Sequence, residues 1–449
     1  MKKNILIVGA GAVGTVVAHK CAQNGDRFGA VCLSSKSLRK CEAVLRSIER
    51  RGYPRARACR LVAREVDARD TRALIQLIVE TQADIVINVC TAFVNMSVIE
   101  ACLATGAAYL DTAVHEDPAV LNAPYPWYAN FEWKRREDFA RRGLTAILGV
   151  GFDPGVVNAY CAYAQRYELD TVTSIDIMDV NDGSHGRFFS TNFDPEINLR
   201  EVIEDAGCLE DGEWRTYPHH SRTTTFDFPE VGRKKLYLMG HDEVHSLSVN
   251  VPDVKTVRFW MGFDDHYLNC LNVFEQVGLL NHREVTTASG QAVVPLHVLK
   301  ACLPNPASLA ATYTGKTCIG ALVSGKRDGE DREVFLYNVC DHEAAYADVG
   351  SQAIAFTAGV PPVAAALLVA SGPWDCETMA NVEELDPVPF LKLLKELGLP
   401  TILRRPTTAG FDEELVLFDD AVPPSDAPSR RPGIDAPGSL SPRKTSAHP

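Results

Sequence analysis

The chain has 449 residues, 46% hydrophobic and 23% charged, which suits a soluble globular protein of two or three domains and excludes a small stapled scaffold or a bundle of membrane spans. Asp and Glu outnumber Lys and Arg by 58 to 45, a formal net charge of −13, so a nucleic-acid or membrane partner is disfavoured and a cationic ligand favoured. The 13 cysteines are scattered without a C-x-x-C pair, which reads as reduced thiols in a cytoplasmic protein and not as a disulfide framework or a zinc ribbon.

Lys2 and Lys3 precede an apolar stretch, the outward shape of an export signal, but Gly9, Gly11 and Gly14 would weaken the apolar helix such a signal needs. A strand over 4–8 followed by a tight glycine turn and a helix fits better. Strands then alternate with helices: strands at 30–33, 59–66, 85–89, 108–110 and 144–150, helices at 38–50, 71–80, 94–105 and 132–142. This alternation predicts an α/β fold, a doubly wound parallel sheet covered on both faces. Beyond Asp170 short β-rich pieces with Gly and Pro punctuation predict a second, mixed α+β domain for substrate and dimerisation. The apolar run 353–370 is broken by Pro361 and Pro362 and reads as a buried helix, not a membrane span. The expected organisation is a Rossmann domain at 1–152, an α+β domain at 153–348, C-terminal helices at 349–420 returning to the first domain, and a tail at 421–449. That tail is too poor in apolar side chains to order itself.

Gly9-Ala10-Gly11-Ala12-Val13-Gly14 directly follows a strand and opens a helix, the context in which G-x-G-x-x-G binds a dinucleotide. Gly9 allows the tight turn, Gly11 the approach of a pyrophosphate, Gly14 the close packing of helix on strand, and the N–H groups from Ala12 and Val13 onward face the anion. The second strand ends without the acidic residue that holds a ribose 2′-hydroxyl. Ser34, Ser35 and Lys36, with Arg39 and Lys40 a turn later, suit a 2′-phosphate, so the cofactor is expected to be NADP(H). Asp67 follows the third strand, where adenine would lie.

Ligands of such sheets sit outside the carboxyl ends of the strands, which places Asn88 and Thr91, then Asp111 and His115, then Asp153 near the nicotinamide. Each acidic or imidazole group has a structural alternative: Asp153 could cap a helix, His115 could be solvated, and Asp111 could satisfy backbone donors. His241-Asp242-Glu243-Val244-His245 imitates a zinc-protease signature but has Asp where that motif needs Glu, so no metal is expected.

The passages at 5–14, 19–23, 88–95, 148–155, 191–201 and 382–387 resemble the saccharopine dehydrogenase superfamily, and within it the carboxynorspermidine (carboxyspermidine) dehydrogenase branch. The resemblance reaches to about residue 400. Arg187 departs from it, standing where the family would carry a bulky uncharged residue. What the resemblance implies is condensation of L-aspartate β-semialdehyde with a diamine, putrescine or 1,3-diaminopropane, and NADPH reduction of the imine, by a cytoplasmic homodimer. The residues suit a dicationic substrate, since 11 acidic residues stand against 3 arginines between Asp176 and Arg215. Asn192, Glu196 and Arg200 are the expected substrate contacts. Glu196 and Arg200, four apart on a helix, would face the amine and the amino-acid carboxylate. His115 is the expected proton-transfer group, and Asp153 or Asp111 the expected stabiliser of the cationic imine. A saccharopine reductase-type enzyme and a catalytically silent NADP(H) sensor are the alternatives.

Overall fold

The computed structural model describes residues 2–120, 123–406 and 412–419. The tail at 421–449 lies outside the described residues. Six strands, β1 (Ile5–Val8), β2 (Ala30–Ser35), β3 (Arg60–Glu65), β4 (Ile85–Asn88), β5 (Ala108–Asp111) and β6 (Ala146–Leu148), form an all-parallel sheet with a seventh short strand, Met379–Asn381. The spatial order is Met379–Asn381, β6, β5, β4, β1, β2, β3. The order in which strands are added reverses between β1 and β4, which opens a crevice at their carboxyl ends. All four residues of β1 are buried. Ile5 and Ile7 join one apolar cluster and Leu6 and Val8 another, as a sheet covered on both faces requires.

The apolar helix Ala353–Ser371 is long and apolar enough to cross a membrane, but most of it is buried against the first domain. Gly359 lets it approach the helix Ala12–Gln23 so closely that a Cβ there would lie 2.7 Å from the Cβ of Val16. Gln352 caps its start by accepting from the N–H groups of Ile354 and Ala355.

The second sheet runs Thr223–Phe228, Gly232–Met239, Thr256–Gly262, β7 (Thr171–Asn181), Lys316–Arg327, Glu330–Asp341, Ile402–Pro406, Asp412–Val416. β7 sits at its centre, parallel to Thr256–Gly262 and antiparallel to Lys316–Arg327. Its alternation sends Ile175 and Ile177 to the main core and Met178 and Val180 to the opposite face.

The helix Ala353–Ser371 packs on the first domain, whereas the end of the stretch 349–420 does not stay there: Ile402 pairs with Tyr337 and the hairpin to Asp412–Val416 extends the second sheet. The chain therefore crosses between the sheets twice after residue 349. A three-residue strand such as Met379–Asn381 has too few positions for its alternation to stand out in a sequence.

Candidate active site

A cavity of about 1190 Å³ opens at the carboxyl ends of β1, β4 and β5 and extends over the end of β7. Its floor is the glycine turn. Gly9 has φ +118° and donates its N–H to the carbonyl of Ser34 at 2.8 Å. A Cβ on Gly14 would stand 2.0 Å from the carbonyl oxygen of Gly9, whereas one on Gly11 would meet nothing within 4 Å. The protein's own packing therefore needs glycine at 9 and 14, while the bare face of Gly11 is open to a ligand. No side chain caps the helix beginning at Ala12 and no acidic residue lies in its first turn, so its N–H groups are left for an anion.

Ser35, Lys36, Lys40 and Arg69 line the end of the cavity where the adenosine ribose of a dinucleotide would lie, and Asp67 lies between them. Asp67 takes three contacts from the Arg69 guanidinium, the shortest 2.9 Å from Nη2, accepts the Arg69 backbone N–H at 3.0 Å, and stands 3.4 Å from Lys36 Nζ. The Arg69 guanidinium holds its carboxyl far below the usual range. Ser34 is not a ligand here: its buried hydroxyl donates to the carbonyl of Ile7 at 2.9 Å and locks β2 against β1. Arg69 escaped the sequence reading because it belongs to no glycine or strand-two signature.

Thr91, His115 and Asp153 line the cavity; Asn88 and Asp111 do not. Asn88 is buried, donates to Asn95 and Tyr109, and fixes the turn after β4. Asp111 is buried behind the chain, accepts the N–H of Gly149 at 2.6 Å, and is pushed up to about 7 by burial. It supports the bend that leads to Asp153 but does not face the crevice.

His115 sits with Nδ1 2.9 Å from the carbonyl of Ala92 and its ring edge-on to Phe131 at 4.5 Å. A carbonyl accepts only, so Nδ1 carries the proton and Nε2 is left as an acceptor. Glu132 accepts the backbone N–H of His115. Burial lowers the imidazole below its ordinary value, which keeps it neutral at pH 7.

The same cavity is lined by a group of acidic residues, Asp153, Asp179 near the end of β7, Glu201 and Asp242. Burial, then the charge of Asp179, raises Asp153 well above the carboxylate range, and burial brings Asp179 up to about 7. Asp242 is likewise raised by burial and accepts the Val114 N–H at 2.7 Å. His241 stands 3.1 Å from Glu201, contacts Glu243, and stacks on Phe259 at 4.0 Å. Burial opposes its charge, yet Glu243 and Glu201 hold it protonated. His245, four residues on, instead accepts the Trp127 N–H and stacks on that indole at 3.9 Å. Arg187 is exposed and lies outside the cavity.

The helix Pro195–Ile203 requires a correction. Its cavity stripe is Ile197, Asn198 and Glu201, with Glu204 just beyond its end. Glu196 does not line the cavity; it is engaged by His297 at 3.3 Å and, at 3.0 Å, by Lys300, which does line it. Arg200 is 2% exposed and turned under the loop after β5. Asn192 does line the cavity and accepts from the Tyr313 hydroxyl at 2.7 Å.

A glycine turn open to an anion, cations beside it, and a neutral imidazole and acidic side chains in the same cavity define a nicotinamide-dinucleotide oxidoreductase. Comparison with known proteins narrows the class. Residues 5–147 match the saccharopine dehydrogenase NADP binding domain and residues 151–399 the saccharopine dehydrogenase C-terminal domain. The chain belongs to the saccharopine dehydrogenase family, and its cofactor is NADP(H). It is 48% identical over 395 residues to a carboxynorspermidine synthase of Vibrio alginolyticus, covering 88% of this chain and 95% of that one. A carboxyaminopropylagmatine dehydrogenase of Synechocystis is 43% identical over 396 residues, 88% of this chain and 96% of that one. Apo saccharopine dehydrogenase (L-Glu forming) from Saccharomyces cerevisiae superposes with a TM-score of 0.65 at 14% identity, covering 89% of this chain and 99% of that one, and shares the fold.

Proposed function

We propose that this enzyme condenses L-aspartate β-semialdehyde with a diamine, putrescine or 1,3-diaminopropane, and reduces the resulting imine to carboxyspermidine or carboxynorspermidine. The observation that carries the reading is the wall of Asp153, Asp179, Glu201 and Asp242 lining one cavity together with a neutral His115 and the glycine turn. Such a wall attracts an organic dication and repels the extra carboxylates of a saccharopine-like substrate. The names of the 48% and 46% identical Vibrio relatives support the same product class.

In this reading His115 Nε2 takes a proton from the substrate ammonium, the freed amine attacks the aldehyde carbon and passes a second proton to the resulting oxyanion, and the imidazolium returns its proton to that hydroxyl, which leaves as water. The carbon–nitrogen double bond left behind is cationic, and Asp153 and Asp179 stabilise it as carboxylates. NADPH, when bound, supplies the hydride that reduces it. Ala12, Val13 and Gly11 hold the pyrophosphate through backbone N–H groups, Ser35, Lys36 and Arg69 face the 2′-phosphate, and Thr91 borders the nicotinamide end. Asn192 and Tyr313 orient the amino-acid moiety. A homodimer through the second domain and a cytoplasmic location complete the proposal, on the strength of the family resemblance.

The deciding assay follows NADPH oxidation with aspartate semialdehyde plus each diamine, with the same aldehyde plus agmatine, with aminoadipate semialdehyde plus glutamate, and with neither. Turnover confined to the diamine pairs is expected. Preference for agmatine would move the chain towards the Synechocystis relative, preference for glutamate towards the saccharopine reaction, and no turnover would leave a sensor. Asp153→Asn should lower kcat much more than it weakens NADPH.

A further inference from the structure

Arg200 is the most deeply buried cation near the site, 2% exposed; it does not itself line the cavity, but its contacts Phe93, Glu116, Asp117 and Val120 do. Its Nη1 donates to the carbonyl of Pro118 at 3.1 Å, and its Nη2 donates to Val120 at 2.8 Å and Asp117 at 3.5 Å. Its Nε, which has no hydrogen bond of its own, lies 3.6 Å from the carboxylate of Glu116. On its other side the guanidinium lies over the ring of Phe93 at 5.6 Å. Glu116 is the residue after His115, and Phe93 is the residue after Ala92, whose carbonyl fixes the His115 ring. The contacts of one side chain therefore adjoin both halves of the hydrogen bond that sets the imidazole.

We infer that Arg200 is a positioning residue: from the substrate domain it clamps the loops 92–93 and 116–120 together and so holds His115 Nε2 towards the reacting carbon. A planar guanidinium suits this task because its five N–H donors can serve several carbonyls at once, which an ammonium on a flexible stem cannot do in the same plane. Burying an arginine is costly unless its charge and donors are met, and here Nη1 and Nη2 serve three carbonyls of one loop while Nε faces the Glu116 carboxylate. The inference rests on the proton-transfer reading of His115, and its test is built so that the two can fail separately.

The experiment compares Arg200→Met, Arg200→Lys, His115→Asn and the Arg200→Met/His115→Asn pair. Arg200→Met should lower kcat by roughly tenfold or more while the KM for diamine and for semialdehyde changes less than about threefold, with partial recovery in Arg200→Lys. The double variant should be no slower than His115→Asn, because a clamp has nothing left to position. A raised KM with intact kcat would make Arg200 a substrate anchor, and losses that multiply would make it an independent contributor; either overturns the inference. Deuterium uptake of the full-length protein supplies the readout that does not depend on turnover. Peptides covering 90–95 and 112–120 should exchange faster in Arg200→Met and in Arg200→Lys, with the rest of the chain unchanged. If His115→Asn retains full activity, the proton-transfer reading fails alone and the exchange data still judge the clamp. Unchanged uptake in those two peptides overturns it.

Discussion

The Nδ1–H of His115 donates to the carbonyl of Ala92 at 2.9 Å, so the loop after β5 takes its imidazole geometry from the loop after β4. Both loops leave the carboxyl ends of neighbouring strands beside the crevice, and the bond between them fixes which ring nitrogen is basic. Burial lowers this imidazole below 6.5, so it is a competent base through neutral pH and becomes protonated only below that value.

The first prediction follows from that sign. The acidic limb of kcat contributed by His115 should lie below pH 6.5, and His115→Asn should abolish that limb while cutting kcat by about 10²-fold or more, the usual scale of general acid–base catalysis. NADPH affinity, measured by fluorescence titration, should change little. A limb that persists unmoved in the variant assigns the proton transfer elsewhere.

The glycines separate folding from binding. Gly14→Ala forces a Cβ to 2.0 Å from the Gly9 carbonyl, so it should destabilise the first domain by about 2 kcal/mol or more. Gly11→Ala meets nothing in the protein and should leave thermal stability within about 0.5 kcal/mol, yet raise the Kd for NADPH at least roughly tenfold by filling the approach of the pyrophosphate. Calorimetry with NADPH titration on the two variants checks both halves; equal NADPH affinity in Gly11→Ala and wild type would place the pyrophosphate elsewhere.

What the sequence could and could not reveal follows the range of each signal. The glycine turn and β1 to β6 are local patterns, alternation and turn chemistry within a few residues, and they stand where the sequence places them. Orientation is harder to read, because it is set by distant packing. Glu196 and Arg200 do share a helix face, but the cavity lies one residue round the helix, about 100° away, where Ile197, Glu201 and Glu204 form the stripe. Ser34 and Ser35 are neighbours on β2, and alternation sends one hydroxyl to Ile7 and leaves the other at the crevice. Asp179 was legible in principle, as the acidic member of the Ile175, Ile177 face of β7, but that face becomes a site only when β7 is brought under the first sheet. Asp111 looked catalytic because topology put it at a strand end; the Gly149 N–H turns it inward.

Proton linkage gives the third prediction. Asp179 stands at about 7 and Asp153 well above the carboxylate range, so near neutral pH part of this wall is protonated in the empty site. A bound dication favours the ionised carboxylates and lowers both values, so diamine binding should release protons. Isothermal titration in buffers of different ionisation enthalpy, at saturating NADP+, should show a release of about half a proton from Asp179 at pH 7. The release should shrink as pH rises and Asp179 is already ionised. Asp179→Asn should remove that share and weaken diamine at least roughly tenfold. Diamine binding with no proton release at pH 7 would show that these carboxylates do not meet the amine.

The last prediction concerns the cations at the far end of the cavity. Arg69 and Lys36 both face Asp67, which neutralises part of their charge and holds them at the mouth of the ribose pocket. Neither cation has reason to discriminate a 2′-hydroxyl, but a 2′-phosphate can displace the Asp67 carboxylate from the Arg69 fork and take its place. Arg69→Ala should therefore weaken NADPH at least roughly fivefold and leave NADH nearly untouched, and Asp67→Asn, which frees both cations, should tighten NADPH. Because all three groups are solvent-exposed, the NADPH preference should fall as salt is raised. If Arg69→Ala weakens NADPH and NADH alike, the guanidinium is serving the adenine or the fold, and cofactor choice must come from Ser35 at the end of β2 and Lys40 in the first turn of the helix that follows.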